Sequence, residues 1–261
     1  MNTEELLQAL APCGAPAEAW WPSEGPFETA VGAILVQGVA WRNVERALSG
    51  LRAVGLLAPG PLGAAPRAEV EQAVRPALYF HQKAGYLQSF AGFVLDRCGG
   101  DLLGLQGLPP EDQRRALLSV RGIGAETAAA IMVYALGAAV TVLDAYALRV
   151  LPRVGASLPG DRAGAEAALR AAVSGEAQKA RLLHARIVAL AQEHCRKEPQ
   201  CAGCPLLASC PRLVGKTVAG RRRNGQGTAD GDAAQGAGGV GKRTCAETIE
   251  GRSSARTRAL G

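Results

Sequence analysis

Apolar side chains recur along this chain with a helical period. Phe27, Val31, Ile34, Leu35 and Gly38 share one face at i, i+4, i+7, i+8 and i+11, the spacing of an amphipathic helix. Ser23 and Pro26 mark its start. The same periodicity predicts helices over 43–51, 69–74, 83–95, 111–120, 127–136, 146–150, 166–173 and 177–194. The Gly and Pro residues of 55–62 end the second of these, and Pro109 and Pro110 introduce the helix at 111, because proline fits the first turn and not the interior. No long alternating strand pattern and no internal repeat is present. The expected fold class is all-α, with short loops between neighbours.

Composition narrows the class. The 261 residues are 48% hydrophobic, 20% charged and only 4% aromatic, which suits a helical, soluble protein. The apolar run at 30–36 stops at Gln37, too short to span a bilayer. No basic segment precedes an apolar stretch at Met1, so a cytoplasmic location without membrane contact is expected. The net charge of +6 is entirely local: 211–261 holds ten basic and four acidic side chains, and the rest of the chain is neutral. From 214 the chain has no aromatic residue and is rich in Gly, Arg, Thr and Ala. It is expected to be a disordered basic tail, either a nonspecific DNA-binding arm or simply solvated.

Three local constellations carry chemistry. Cys195, Cys201, Cys204 and Cys210 lie within sixteen residues. A chain with seven cysteines, four of them bunched, is no disulfide framework and fits a reducing compartment and a metal site. With a single C-x2-C pair and uneven gaps, the four thiolates suit a [4Fe–4S] cluster, with zinc as the alternative. Cys13, Cys98 and Cys245 have no partner at ligand spacing and read as buried or tail thiols. Second, Arg121-Gly122-Ile123-Gly124 joins two predicted helices. Backbone N–H groups of such a turn can approach a phosphate with no side chain in the way, although many helix–helix turns contain glycine for packing alone. Third, Asp144 precedes a short helix, where it is either an N-cap or an acid.

Taken in order, the Gly122-Ile123-Gly124 turn, Asp144 twenty residues on, and the four-cysteine loop resemble the endonuclease III branch of the helix-hairpin-helix DNA glycosylase superfamily. The resemblance covers about 20–210. It implies a six-helix domain over 26–136, carrying the hairpin at about 112–136. It also implies a second domain from 1–25 and 137–213 that holds a [4Fe–4S] cluster. It makes Asp144 the catalytic carboxylate, places Gly122, Ile123, Gly124 and Thr127 on DNA, and gives Gln37 the space vacated by a flipped base. Tyr79, Phe80 and His81 fall where the family wedges the opposite strand. Arg196 and Lys197 would face phosphates. His184 reads as a buried structural histidine.

Two departures matter. Glu126 stands where bifunctional members carry a lysine, and a carboxylate cannot form a Schiff base. The first cysteine gap is also five residues, where better-known members have six. Trp20-Trp21-Pro22 together with Glu126 looks like the branch that includes a bacterial 3-methyladenine glycosylase, with Trp20, Trp21 and Glu126 at the base pocket. The implied activity is hydrolysis of the N-glycosidic bond of a damaged or mismatched base in double-stranded DNA, by a monomer in the nucleoid. Little or no strand cleavage is expected, any of it from another amine such as Lys83. A non-catalytic DNA-binding paralogue is the alternative, and a cluster-based electron carrier a third reading. Glu126 beside Asp144 would raise the pKa of one of the two carboxyls.

Overall fold

The computed structural model describes residues 5, 8–11, 13, 21–156 and 158–211. Trp20, Cys245 and the basic tail lie outside the described residues. Within the described residues ten α-helices follow in order: α1 (Pro26–Leu35), α2 (Trp41–Ala53), α3 (Pro59–Ala64), α4 (Arg67–Ala73), α5 (Phe80–Cys98), α6 (Pro110–Leu118), α7 (Ala125–Ala130), α8 (Ala145–Arg153), α9 (Arg162–Ala172) and α10 (Ala177–Glu193). There is no strand among the described residues, so the all-α expectation holds. No helix there is long and apolar enough to cross a membrane.

One local expectation needs correction, and two others gain detail. α1 starts at Pro26 as expected, with Gly25 at its N-cap position; the Ser23 hydroxyl pairs with Thr29 Oγ1 at 2.6 Å. The Gly/Pro stretch at 55–62 ends α2 as expected and also starts α3, with Pro59 at its first position, which packs on α5. The predicted helix over 127–136 is split: α7 ends at Ala130 and a π turn runs over Ile131–Ala135. A π turn inserts an extra residue and rotates the side chains beyond it. Here that shift concerns Tyr134.

The buried apolar residues form two cores. The first runs from Ala30 to Val142 and surrounds α1, whose Ala30, Val31, Ile34 and Leu35 are essentially inaccessible. The second joins Leu10 and Cys13 to residues from Leu143 to Cys210, with α8 packed along α10. Each fully buried Leu or Val contributes roughly 1.5–3 kcal/mol. The chain passes from one core to the other between Val142 and Leu143, in a nonhelical segment immediately before Asp144.

Lys83 is buried in the first core. Its Nζ donates to the carbonyls of Leu35 at 2.8 Å and Gln37 at 2.9 Å, satisfying acceptors where α1 ends and its dipole is negative. Burial pulls its pKa down to about 8. An amine held inward by two carbonyls is not placed to attack a sugar, which corrects the expectation that Lys83 could supply strand cleavage.

Candidate active site

Asp144 sits where the chain enters the second core. Its backbone is extended at φ −95°, and Oδ1 accepts the Ala147 N–H at 2.7 Å, capping α8. The other oxygen, Oδ2, lies 3.4 Å from His184 Nε2 on α10. His184 Nδ1 is in turn 2.7 Å from the Tyr134 hydroxyl on the π turn. Capping and the imidazole contact therefore use different oxygens of one carboxylate. Burial alone would raise the pKa of Asp144. The hydrogen bond and charge of His184, with the Ala147 and Tyr146 amides, outweigh it and hold the carboxyl below its ordinary value. Tyr134 is pushed well above the ordinary phenol range, first by burial and then by the charge of Asp144. The site thus holds a carboxylate and a neutral phenol bridged by an imidazole.

Aromatic rings continue from Tyr134. Trp21 packs against it at 4.9 Å between centroids, and Trp41 meets Trp21 edge-on at 5.2 Å. Trp21 Nε1 is buried with no hydrogen-bond partner. Gly32 on α1 admits this ring, since a Cβ there would stand 3.3 Å from Nε1.

Glu126 opens α7 with about half of its side chain exposed, and its charged neighbour is Arg162 at 3.9 Å. Arg162 also bonds Glu166 at 2.8 Å and the Leu143 carbonyl at 3.0 Å. The expected mutual repulsion of Glu126 and Asp144 is not seen at Asp144. Its carboxyl is lowered, and the groups acting on it are His184 and backbone amides.

The two hairpin glycines differ. Gly122 has φ +90° and a Cβ there would fall 2.1 Å from the Tyr86 ring, so the fold itself demands glycine. Gly124 caps α7 at φ −89°, and its Cβ would meet nothing within 4 Å. Ile123 is buried at the tip and anchors the turn. Thr127 is buried too, and with the Gly122 carbonyl it receives the Gln37 amide at 2.9 and 3.0 Å. In this state Gln37 holds the hairpin and does not project from it. Near the other expected contact, the His81 ring is exposed and paired with Glu71 at 2.6 Å, while its carbonyl accepts from Arg67. Leu78 and Tyr79 protrude there as well, the latter in a left-handed conformation at φ 59°.

Beyond α10, Cys195 and Cys204 pack against the second core and Cys210 is buried in it. Two arginines of α8 hold this loop. Arg149 Nε donates to the Cys195 carbonyl at 2.8 Å; Arg153 donates to the Arg196 carbonyl at 2.6 Å and lies 3.6 Å from Cys195 Sγ. The Cys210 thiol faces the Arg153 carbonyl at 3.3 Å. Burial raises the thiol pKa values of Cys201 and Cys204, and the charges of the other cysteines add to it, so the four sulfurs lie within electrostatic reach. Among the described residues, no three His, Cys, Asp or Glu side chains stand together at metal-holding distances.

Sequence reasoning identifies Asp144, Glu126 and the hairpin, and assigns His184 a structural place. It is buried, but against Asp144. Tyr134, Trp41 and Arg162 escape it. The available hint is rarity, because the chain has only three tryptophans.

No family model matches the chain. It is 31% identical over 199 residues to a Methanocaldococcus jannaschii protein inferred to be a DNA repair glycosylase, covering 73% of this chain and 88% of that one. It is 28% identical over 149 residues to endonuclease III of Bacillus subtilis, covering 56% of this chain and 64% of that one. Among solved structures, an endonuclease III–DNA complex superposes with a TM-score of 0.67 at 22% identity, over 84% of this chain and 99% of that one. The H. pylori 3-methyladenine DNA glycosylase bound to 1,N6-ethenoadenine superposes with a TM-score of 0.65 at 24% identity, over 74% and 98%.

Proposed function

Because the chain belongs to the endonuclease III family of helix-hairpin-helix DNA repair glycosylases, we propose that it removes a damaged base by hydrolysis and stops at the abasic site. The observation that carries this is Asp144 Oδ2, ionised beside His184 where the two cores meet. Breaking an N-glycosidic bond builds positive charge on the deoxyribose, and a preformed carboxylate stabilises it and directs the attacking water. The base must first leave the stack. Tyr134, linked to this carboxylate through His184, continues into Trp21 and Trp41 as an aromatic surface, which favours an electron-poor base such as an alkylated purine. The H. pylori neighbour carries an ethenoadenine, and this agrees. Glu126, with no amine, leaves no imine chemistry at the hairpin. Gly122 and Gly124 hold a phosphate through the backbone, and Leu78 with Tyr79 enters the duplex from the other side. A division into a six-helix domain over 26–136 and a terminal domain from 1–25 and 137–213 is supported by the two cores, whose own change-over falls between Val142 and Leu143.

The donor set of the cysteine loop, four thiols without imidazole or carboxylate, fits an iron–sulfur group better than a bare pocket. Cys195, Cys201, Cys204 and Cys210 would hold a [4Fe–4S] cluster, whose contribution is to pin the loop. Protein purified anaerobically is expected to be yellow-brown with iron and no zinc, and replacing any one of the four cysteines should yield unstable protein. Zinc without iron would overturn the assignment.

The test of activity is a panel of duplexes bearing alkylated purines, oxidised pyrimidines, uracil and mismatched thymine. Base release is expected with strand breakage only after alkali, and without borohydride trapping. Trapping at the rate of base release would contradict a water-only reaction. DNA binding without release from any lesion would favour a non-catalytic paralogue.

A further inference from the structure

The residues 137–144 cross between the cores without helical hydrogen bonds and end on Asp144. The position of that carboxylate therefore depends on what fixes the crossing. Arg162, the first residue of α9, reaches three groups with one guanidinium. Nε donates to Glu166 at 2.8 Å, Nη2 to the Leu143 carbonyl at 3.0 Å, and Nη1 stands 3.9 Å from Glu126. Glu166 is tied in turn to Arg114 of α6 at 3.0 Å. A planar fork can satisfy partners in different directions simultaneously. The partners here are the hairpin helix α7, the helix α9 and the peptide bond joining Leu143 to Asp144.

We propose that Arg162 is a positioning residue for Asp144: it clamps the Leu143 carbonyl to α9 and the hairpin, so that phosphate capture and the placement of the carboxylate share one frame. This rests on the assignment of Asp144 as the hydrolytic carboxylate. Its neighbour on the same helix, Arg170, pairs with Glu111 of α6 at 3.0 Å and joins the same two cores, lining a small cavity with Val140 and Thr141 while its hydrogen bond goes to α6 and not to the Leu143 carbonyl. It is the natural control.

Two readouts test the proposal on the full-length protein. The first is hydrogen exchange of the amides of Ala147 and Leu148, which donate to Asp144 Oδ1 and to its carbonyl. The second is single-turnover base release set against affinity for the same lesion duplex. Arg162→Ala should speed exchange at 147–148 and slow base release roughly 10- to 100-fold, the scale of a small misplacement of a reacting group, with duplex affinity changed less than about twofold. Arg162→Lys keeps the charge, but its single ammonium cannot span the same directions, so it should recover only part of either effect. Arg170→Ala should leave both unchanged. Equal exchange in Arg170→Ala and Arg162→Ala, no change in Arg162→Ala, or full recovery by lysine would each overturn the clamp. If the wild type releases no base, the functional assignment fails, and the exchange arm still decides whether Arg162 holds Asp144 in place.

Discussion

Asp144→Asn is expected to slow base release by roughly 10²- to 10⁴-fold, the range lost when a positioned acid–base group is removed, while the helix it caps stays intact. Asparagine caps a helix about as well as aspartate, so the Ala147 N–H keeps its acceptor and stability should change by less than about 1 kcal/mol. Asp144→Ala should be equally inactive and in addition lose about 0.5–2 kcal/mol of stability. The pH profile carries the same signature. The folded pKa of Asp144 is lowered, so base release should persist through the ordinary carboxylate range as pH falls and decline only below it. Linkage has the matching sign. A depressed carboxyl stabilises the fold above its unfolded pKa, and that contribution is lost as pH falls through the folded value. Comparing acid denaturation of wild type and Asp144→Asn isolates it. An asparagine variant with wild-type turnover would remove Asp144 from the chemistry.

The hairpin glycines should separate fold from ligand. Gly122→Ala puts a Cβ into the Tyr86 ring at a positive φ and should destabilise by about 2 kcal/mol or more. Gly124→Val meets open space in the protein, so any loss of stability should stay near the ~1 kcal/mol set by the weaker cap. Its DNA affinity should nevertheless fall roughly tenfold or more, by the same factor for every base sequence, because phosphate contacts fix position and carry no base information. Thermal unfolding and binding isotherms at fixed salt measure the two effects separately. If Gly124→Val binds like the parent, the hairpin does not hold the phosphate.

Most helices and part of the candidate site are legible in the sequence, and for a physical reason. Helix positions follow from a 3.6-residue period that is local. The four cysteines, the Gly122–Gly124 turn and the Asp144 cap are also patterns of near neighbours. Those same patterns mislead at 127–136, because a π turn keeps the apolar composition of a helix while changing its register.

Local pattern thus dictates an all-helical chain, a thiol-rich loop, a glycine hairpin, and a carboxylate, Glu126, just beyond that hairpin. Long-range packing settles the rest. It brings Asp144 and His184, forty residues apart, into contact, and carries Tyr134 to His184 across fifty. It spends the Gln37 amide on the hairpin, sets Arg162 on the segment ahead of Asp144, and makes Gly122 but not Gly124 a requirement of the fold. Those contacts depend on how two cores meet, which is set by the packing of many apolar side chains at once and leaves no local spacing to read.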